Sequence, residues 1–126
     1  VLSIKLKTLD EEIRIRRQQS LRYRNEINNV AIQLPEVQGN EASHVWHLFV
    51  IRTEKRDALK TYLDQCGIQT LIHYPIPPHK QECFHEWNDL SFPITEKMHE
   101  EVLSLPINSS LTEEQITYVI EKINLY

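Results

Sequence analysis

The residues best suited to chemistry lie in one stretch, His73-Tyr74-Pro75-Ile76-Pro77-Pro78-His79-Lys80-Gln81, which sets two imidazoles, a phenol and an ammonium around three prolines. Proline fixes φ and lacks an amide donor, so this run is excluded from a helix interior and from a central strand. The residue before each proline is pushed toward extended geometry. A stiff loop is therefore expected, with polar side chains that have little freedom. Imidazole and phenol are good hydrogen-bonding groups for phosphate, carboxylate or sugar hydroxyls, which makes His73, Tyr74, His79 and, with less reason, Gln81 candidates for ligand contact. A recognition loop for a partner protein would use the same residues.

Other chemistries find less support. The spacings of six, four and two among His73, His79, Cys83 and His85 do not follow the short paired spacings of structural zinc, and no metal site is expected. Neither Cys66 nor Cys83 stands in a context that would lower a thiol pKa. No serine occupies a glycine-flanked elbow. Gly39 and Gly67 are the only glycines, so no phosphate-cradling glycine loop is present. Glu100-Glu101 and Glu113-Glu114 are adjacent on helices and point in different directions, as solvated faces or first-turn dipole partners do. No catalytic residue is expected in this chain.

The elements that must position the loop follow from periodicity. Leu2, Leu6, Leu9 and Ile13 form one apolar stripe, and no glycine or proline interrupts residues 1–28. This predicts a single helix of about seven turns. Its stripe needs a neighbouring domain or subunit, and its arginines (Arg14, Arg16, Arg17, Arg22 and Arg24) form either a solvated face or ion pairs with such a neighbour. Residues 45–51, rich in β-branched and aromatic side chains, read as a strand with His44 just ahead of it and His47 within it. Thr53 is a candidate cap for a helix bearing Leu59 and Leu63, which Gly67 ends. Residues 68–72 read as a second strand feeding the proline loop. Beyond the loop come a short turn with Cys83, Phe84 and Trp87, a helix capped by Thr95, an extended piece over 103–107, and a final helix opened by the capping box Thr112-Glu113-Glu114-Gln115. The pattern is α/β, a small α+β domain over residues 30–126 behind a linker helix over residues 1–29.

Composition agrees with one globular domain: 126 residues, 40% apolar and 25% charged. A net charge of −4 argues against a nucleic-acid partner held by phosphate neutralisation, and no apolar run approaches a membrane span. Two cysteines make no disulfide framework and suit a reducing, cytoplasmic setting. Val1-Leu2-Ser3-Ile4-Lys5 already reads as mid-helix, so the chain is expected to be part of something longer.

An ordered set of short motifs carries a further reading. These are Lys5-Leu6-Lys7-Thr8-Leu9-Asp10 with Arg16-Arg17, His44-Val45-Trp46-His47-Leu48-Phe49-Val50-Ile51-Arg52, Arg56-Asp57-Ala58-Leu59, Gly67-Ile68-Gln69-Thr70, His73-Tyr74-Pro75 with His79 and Gln81, Phe92-Pro93, Leu103-Ser104-Leu105-Pro106-Ile107, and Leu111-Thr112 with Gln115. In order and spacing the chain resembles the C-terminal part of the DegT/DnrJ/StrS family of sugar aminotransferases. The resemblance implies the small domain of a type I aminotransferase, with a small, mostly antiparallel sheet, in an enzyme that is normally a homodimer. It implies pyridoxal phosphate as cofactor, and an amino group passed, usually from glutamate, to a nucleotide-linked keto-deoxysugar for surface polysaccharide, lipopolysaccharide or antibiotic sugars. In the family, the Schiff-base lysine and the cofactor-holding residues lie in the large domain, which would precede Val1. None of Lys5, Lys7, Lys55, Lys60, Lys80, Lys97 and Lys122 matches that position, so no cofactor-binding residue is expected here and the chain alone is expected to be inactive. His73, Tyr74, His79 and Gln81 would then contact substrate, the domain walling one side of its pocket. The alternative from the residues alone is a non-catalytic binding or interaction module using the His-Tyr-Pro loop.

Overall fold

The structure, a computed structural model, describes residues 2–126. Among the described residues there are five α-helices and a two-stranded antiparallel sheet: α1 (Leu2–Lys5), α2 (Leu9–Glu26), β1 (Phe49–Arg52), α3 (Arg56–Gln65), α4 (Pro93–Glu101), β2 (Val102–Leu105) and α5 (Glu113–Leu125). Short 3-10 turns occupy Glu41–Ser43, Pro78–Lys80 and Glu82–Trp87. The small α+β architecture expected from the sequence is present.

The single long helix is not. Residues 6–8 interrupt it: the amides of Lys7, Thr8 and Leu9 bond carbonyls three residues back, and the Thr8 hydroxyl donates to the Lys5 carbonyl at 3.1 Å. A side chain that bonds its own backbone competes with the helical ladder, and the turn tightens there. The apolar stripe splits with it. Leu2, Ile4 and Leu6 are exposed, whereas Gln19, Ser20 and Tyr23 on α2 are buried. The later turns of α2 thus belong to the packed core of the domain rather than to a free linker. Asn29 donates to the Ile123 carbonyl, Asn124 donates to the Glu26 carbonyl, and the Asn28 amide donates to Asn124 Oδ1. The carboxyl ends of α2 and α5 are thereby tied to each other through side-chain bonds to their last-turn backbone.

β1 and β2 pair with Phe49 opposite Leu105 and Arg52 opposite Val102. Gln33 bridges the outer side of β1, and Leu71 bridges the outer side of β2 at Ser104. Two strand expectations are corrected here. The strand over 45–51 starts only at Phe49, because Trp46 has φ +51°. The carbonyls before it are taken by side chains of α2: Arg17 donates to those of Ala42 and His44, and Arg16 donates to that of Val45. Backbone groups satisfied in this way need no ladder. The segment 68–72 makes one bridge rather than a strand, since the chain turns off into the proline loop directly after it.

Around the sheet, Tyr23, Trp46, Phe49, Leu63, Leu103 and Ile120 are among the side chains that close the core. Each fully buried apolar side chain of this size contributes about 1.5–3 kcal/mol. Tyr23 also donates to the Pro106 carbonyl at 2.7 Å, and its burial pushes the phenol pKa up. The arginines of α2 are used within the chain: Arg22 pairs with Glu26 and Glu113, and Arg24 pairs with Glu41 and lies over the Trp46 ring. The final helix is as expected, opened by the reciprocal Thr112 and Gln115 capping box, with Ile116, Val119, Ile120 and Ile123 buried. Thr95 does not cap α4: Phe92 is the N-cap residue, Pro93 opens the helix, and the Phe92 amide donates to Glu96. Thr53 accepts from the Lys55 amide just ahead of α3. Gly67, at φ +74°, ends α3 as expected.

Candidate functional site

A cleft of about 700 Å³ opens between residues 67–73, the segment 104–108 after and within β2, and the first turns of α5. Its polar lining comes from His47, Gln69, His73, Ser104, Asn108 and Gln115. Among the described residues, the lining contains no lysine or arginine, and its one carboxylate is Glu114. The Thr112 hydroxyl and the residue's own amide hold that carboxyl below the usual carboxylate range.

His73 reaches the cleft for a reason set by the backbone. Leu71 pairs with Ser104 in both directions, at 2.7 and 3.2 Å. Alternation along an extended chain returns residue 73 to the face that residue 71 occupies, diagonal to Ser104. His73 Nδ1 lies 2.9 Å from Ser104 Oγ, which commits one ring nitrogen to the protein.

The other candidates of the proline loop go elsewhere. Tyr74 is exposed, its ring set edge-on to that of His73, and its carbonyl accepts from His99 Nδ1. His79 does not face the cleft. It is 4% exposed, bonds Glu96 through Nε2 at 2.8 Å, and packs edge-on against Phe92. The Phe92 amide, followed by His79, holds the Glu96 carboxyl below the usual range. Gln81 is half-buried and makes a long contact to the Ile76 carbonyl inside the same loop. Lys80 is drawn onto the carbonyls of Asn88 and Leu90, and Asn88 in turn donates to the His79 carbonyl. The stiff loop is thus internally tied, with His73 at its root on the cleft and Tyr74 beside it in solvent.

Ser104, Gln69 and Asn108 were missed at the sequence level. Ser104 had a visible signal, a lone hydroxyl between leucines in a strand whose four residues are all buried. Gln69 and Asn108 carried none. His85 is exposed beside Glu86, and among the described residues no three of His, Cys, Asp and Glu converge as metal ligands do. Both cysteines are free thiols. Among the described residues no helix is long and apolar enough to cross a membrane.

The geometry has close relatives. Residues 1–124 match the model of the DegT/DnrJ/EryC1/StrS aminotransferase family. The chain is 49% identical over 126 residues to the dTDP-3-amino-3,6-dideoxy-alpha-D-galactopyranose transaminase of Aneurinibacillus thermoaerophilus, and the match covers 100% of this chain and 34% of that enzyme. It superposes with TM-score 0.91 and 37% identity on S. venezuelae DesV, solved in complex with a ketimine intermediate, over 99% of this chain and 34% of that one. NtdA from Bacillus subtilis, solved with bound cofactor PMP, gives TM-score 0.79 and 34% identity over 89% of this chain and 27% of that one. The chain therefore spans about a third of the length of the first of these relatives, and it belongs to the DegT/DnrJ/EryC1/StrS aminotransferase family.

Proposed function

We propose that this chain is the small domain of an aminotransferase that moves an amino group, from glutamate, to carbon 3 of a dTDP-linked 3-keto-6-deoxyhexose. The Aneurinibacillus relative is named for the 3-amino-3,6-dideoxy sugar, and the ketone at the same carbon is the chemical counterpart of that amine. The observation that carries the reading is His73, held at the edge of a cleft by Ser104 in a chain 49% identical to that enzyme. The cleft lining, with hydrogen-bonding side chains, no lysine or arginine and one carboxylate held below the usual range, suits sugar hydroxyls better than a diphosphate. His73 contacts the sugar and Tyr74, exposed beside it, contacts it from the solvent side, both as orienting groups rather than as proton carriers. His79 and Gln81 brace the loop from within.

The residues of this chain do not suit pyridoxal phosphate as a covalent partner. Among the described residues no lysine lines the cleft; Lys60 and Lys97 are paired with Asp64 and Glu101, and Lys80 is bound to backbone carbonyls. In this reading the cofactor and its lysine are supplied by the rest of a longer, homodimeric, cytoplasmic enzyme of amino-sugar synthesis for surface polysaccharide, and the chain alone turns nothing over. The test is a coupled assay of glutamate consumption with a panel of nucleotide-linked keto-sugars, run on the full-length protein and on this chain alone. Turnover of the dTDP-linked 3-keto sugar by the full-length protein only is expected. Turnover by the isolated chain, or none with any keto-sugar by the full-length protein, contradicts the proposal.

A further inference from the structure

We propose that Ser104 is the positioning residue for His73, acting through it on the keto-sugar; this rests on the reading of His73 as a substrate contact. Ser104 is 4% exposed and is the one polar residue of β2, all of whose residues are buried. A buried hydroxyl is costly unless it is hydrogen-bonded, and among the described residues the partner of this one is His73 Nδ1 at 2.9 Å. An alanine would satisfy the apolar packing of the strand, so packing gives no reason for a hydroxyl at this position. The same residue also bonds Leu71 through both its amide and its carbonyl. Three hydrogen bonds therefore run from one position of β2 to two residues at the root of the loop, two to Leu71 and one to His73. The backbone pair fixes where His73 leaves the sheet, and the hydroxyl fixes the rotation of its ring. With Nδ1 engaged on the strand side, Nε2 is the ring nitrogen left for a ligand. Ser104 lines the cleft beside His73, and with its hydroxyl bonded to the imidazole its effect on the sugar runs through His73.

Four versions of the full-length enzyme test this: wild type, Ser104→Ala, His73→Ala and the double variant, each assayed with glutamate and the dTDP-linked 3-keto-6-deoxyhexose. Ser104→Ala is expected to raise KM for the keto-sugar roughly 10- to 100-fold, with kcat and KM for glutamate little changed. The double variant is expected to be no worse than His73→Ala within about twofold, since a residue that acts through another adds nothing once the other is gone. Thermal melting of each variant confirms that it is folded. Should Ser104→Ala not fold, Ser104→Cys keeps the side-chain shape with a weaker hydrogen-bonding group and is expected to raise the same KM by less. Wild-type KM in Ser104→Ala alongside an impaired His73→Ala overturns the positioning role and leaves the substrate-contact reading intact. A double variant whose losses multiply also overturns it. Wild-type kinetics in His73→Ala would remove both.

Discussion

Single side chains decide how the proline loop is held. His79 is buried against Phe92 and bonded to Glu96, so His79→Ala removes a hydrogen bond and ring packing together. A loss of about 1–3 kcal/mol is expected from urea unfolding; a loss below about 0.5 kcal/mol would show the pair to be idle. Glu101 gives a pH signature. Arg52, at 2.7 Å, holds its carboxyl below the ordinary value, with Lys97 adding to the effect. The folded-state pKa is lower than the unfolded one, so the unfolded chain takes up the proton first as pH falls. The stability from this pair is complete above the usual carboxylate range and is lost as pH drops through the depressed value. Glu101→Gln should therefore give a shallower acid limb in a plot of unfolding midpoint against pH than the parent chain, and an equally steep limb would contradict the pairing. The sequence marked His79, with His73, Tyr74 and Gln81, through the prolines among them. It could not show that His79 points inward, because its partner Glu96 is distant along the chain and no local spacing encodes the contact.

Elements were legible where the signal was local. The Thr112 and Gln115 capping box is written in four consecutive residues and appears as read. Thr112→Ala should destabilise the domain by about 1 kcal/mol in equilibrium unfolding, since the cap opens a helix that buries Ile116, Val119 and Ile120; an unchanged midpoint would mean that the cap is redundant with packing. Gly67 at the end of α3 was equally plain. The strand over 45–48 failed because Trp46 turns to positive φ and the carbonyls of His44 and Val45 are claimed by Arg17 and Arg16 from a helix far upstream, and β propensity is blind to that. The break at Thr8 escaped for a related reason: the apolar stripe continues through it, while the hydroxyl that tightens the turn bonds a carbonyl.

For the whole molecule, what the sequence conveyed best was the ordered set of motifs, and the small α+β domain with its antiparallel pair agrees with it. The cleft was not legible, because it is assembled from β2, the segment before the loop and α5, whose proximity only the fold creates. The central claim is that this cleft walls the sugar pocket of a longer aminotransferase, with His73 on the wall. Steady-state kinetics of His73→Ala in the full-length protein test it most directly. The account predicts that KM for the dTDP-linked keto-sugar rises at least about tenfold while KM for glutamate holds; a KM for the keto-sugar equal to that of the wild type would contradict it.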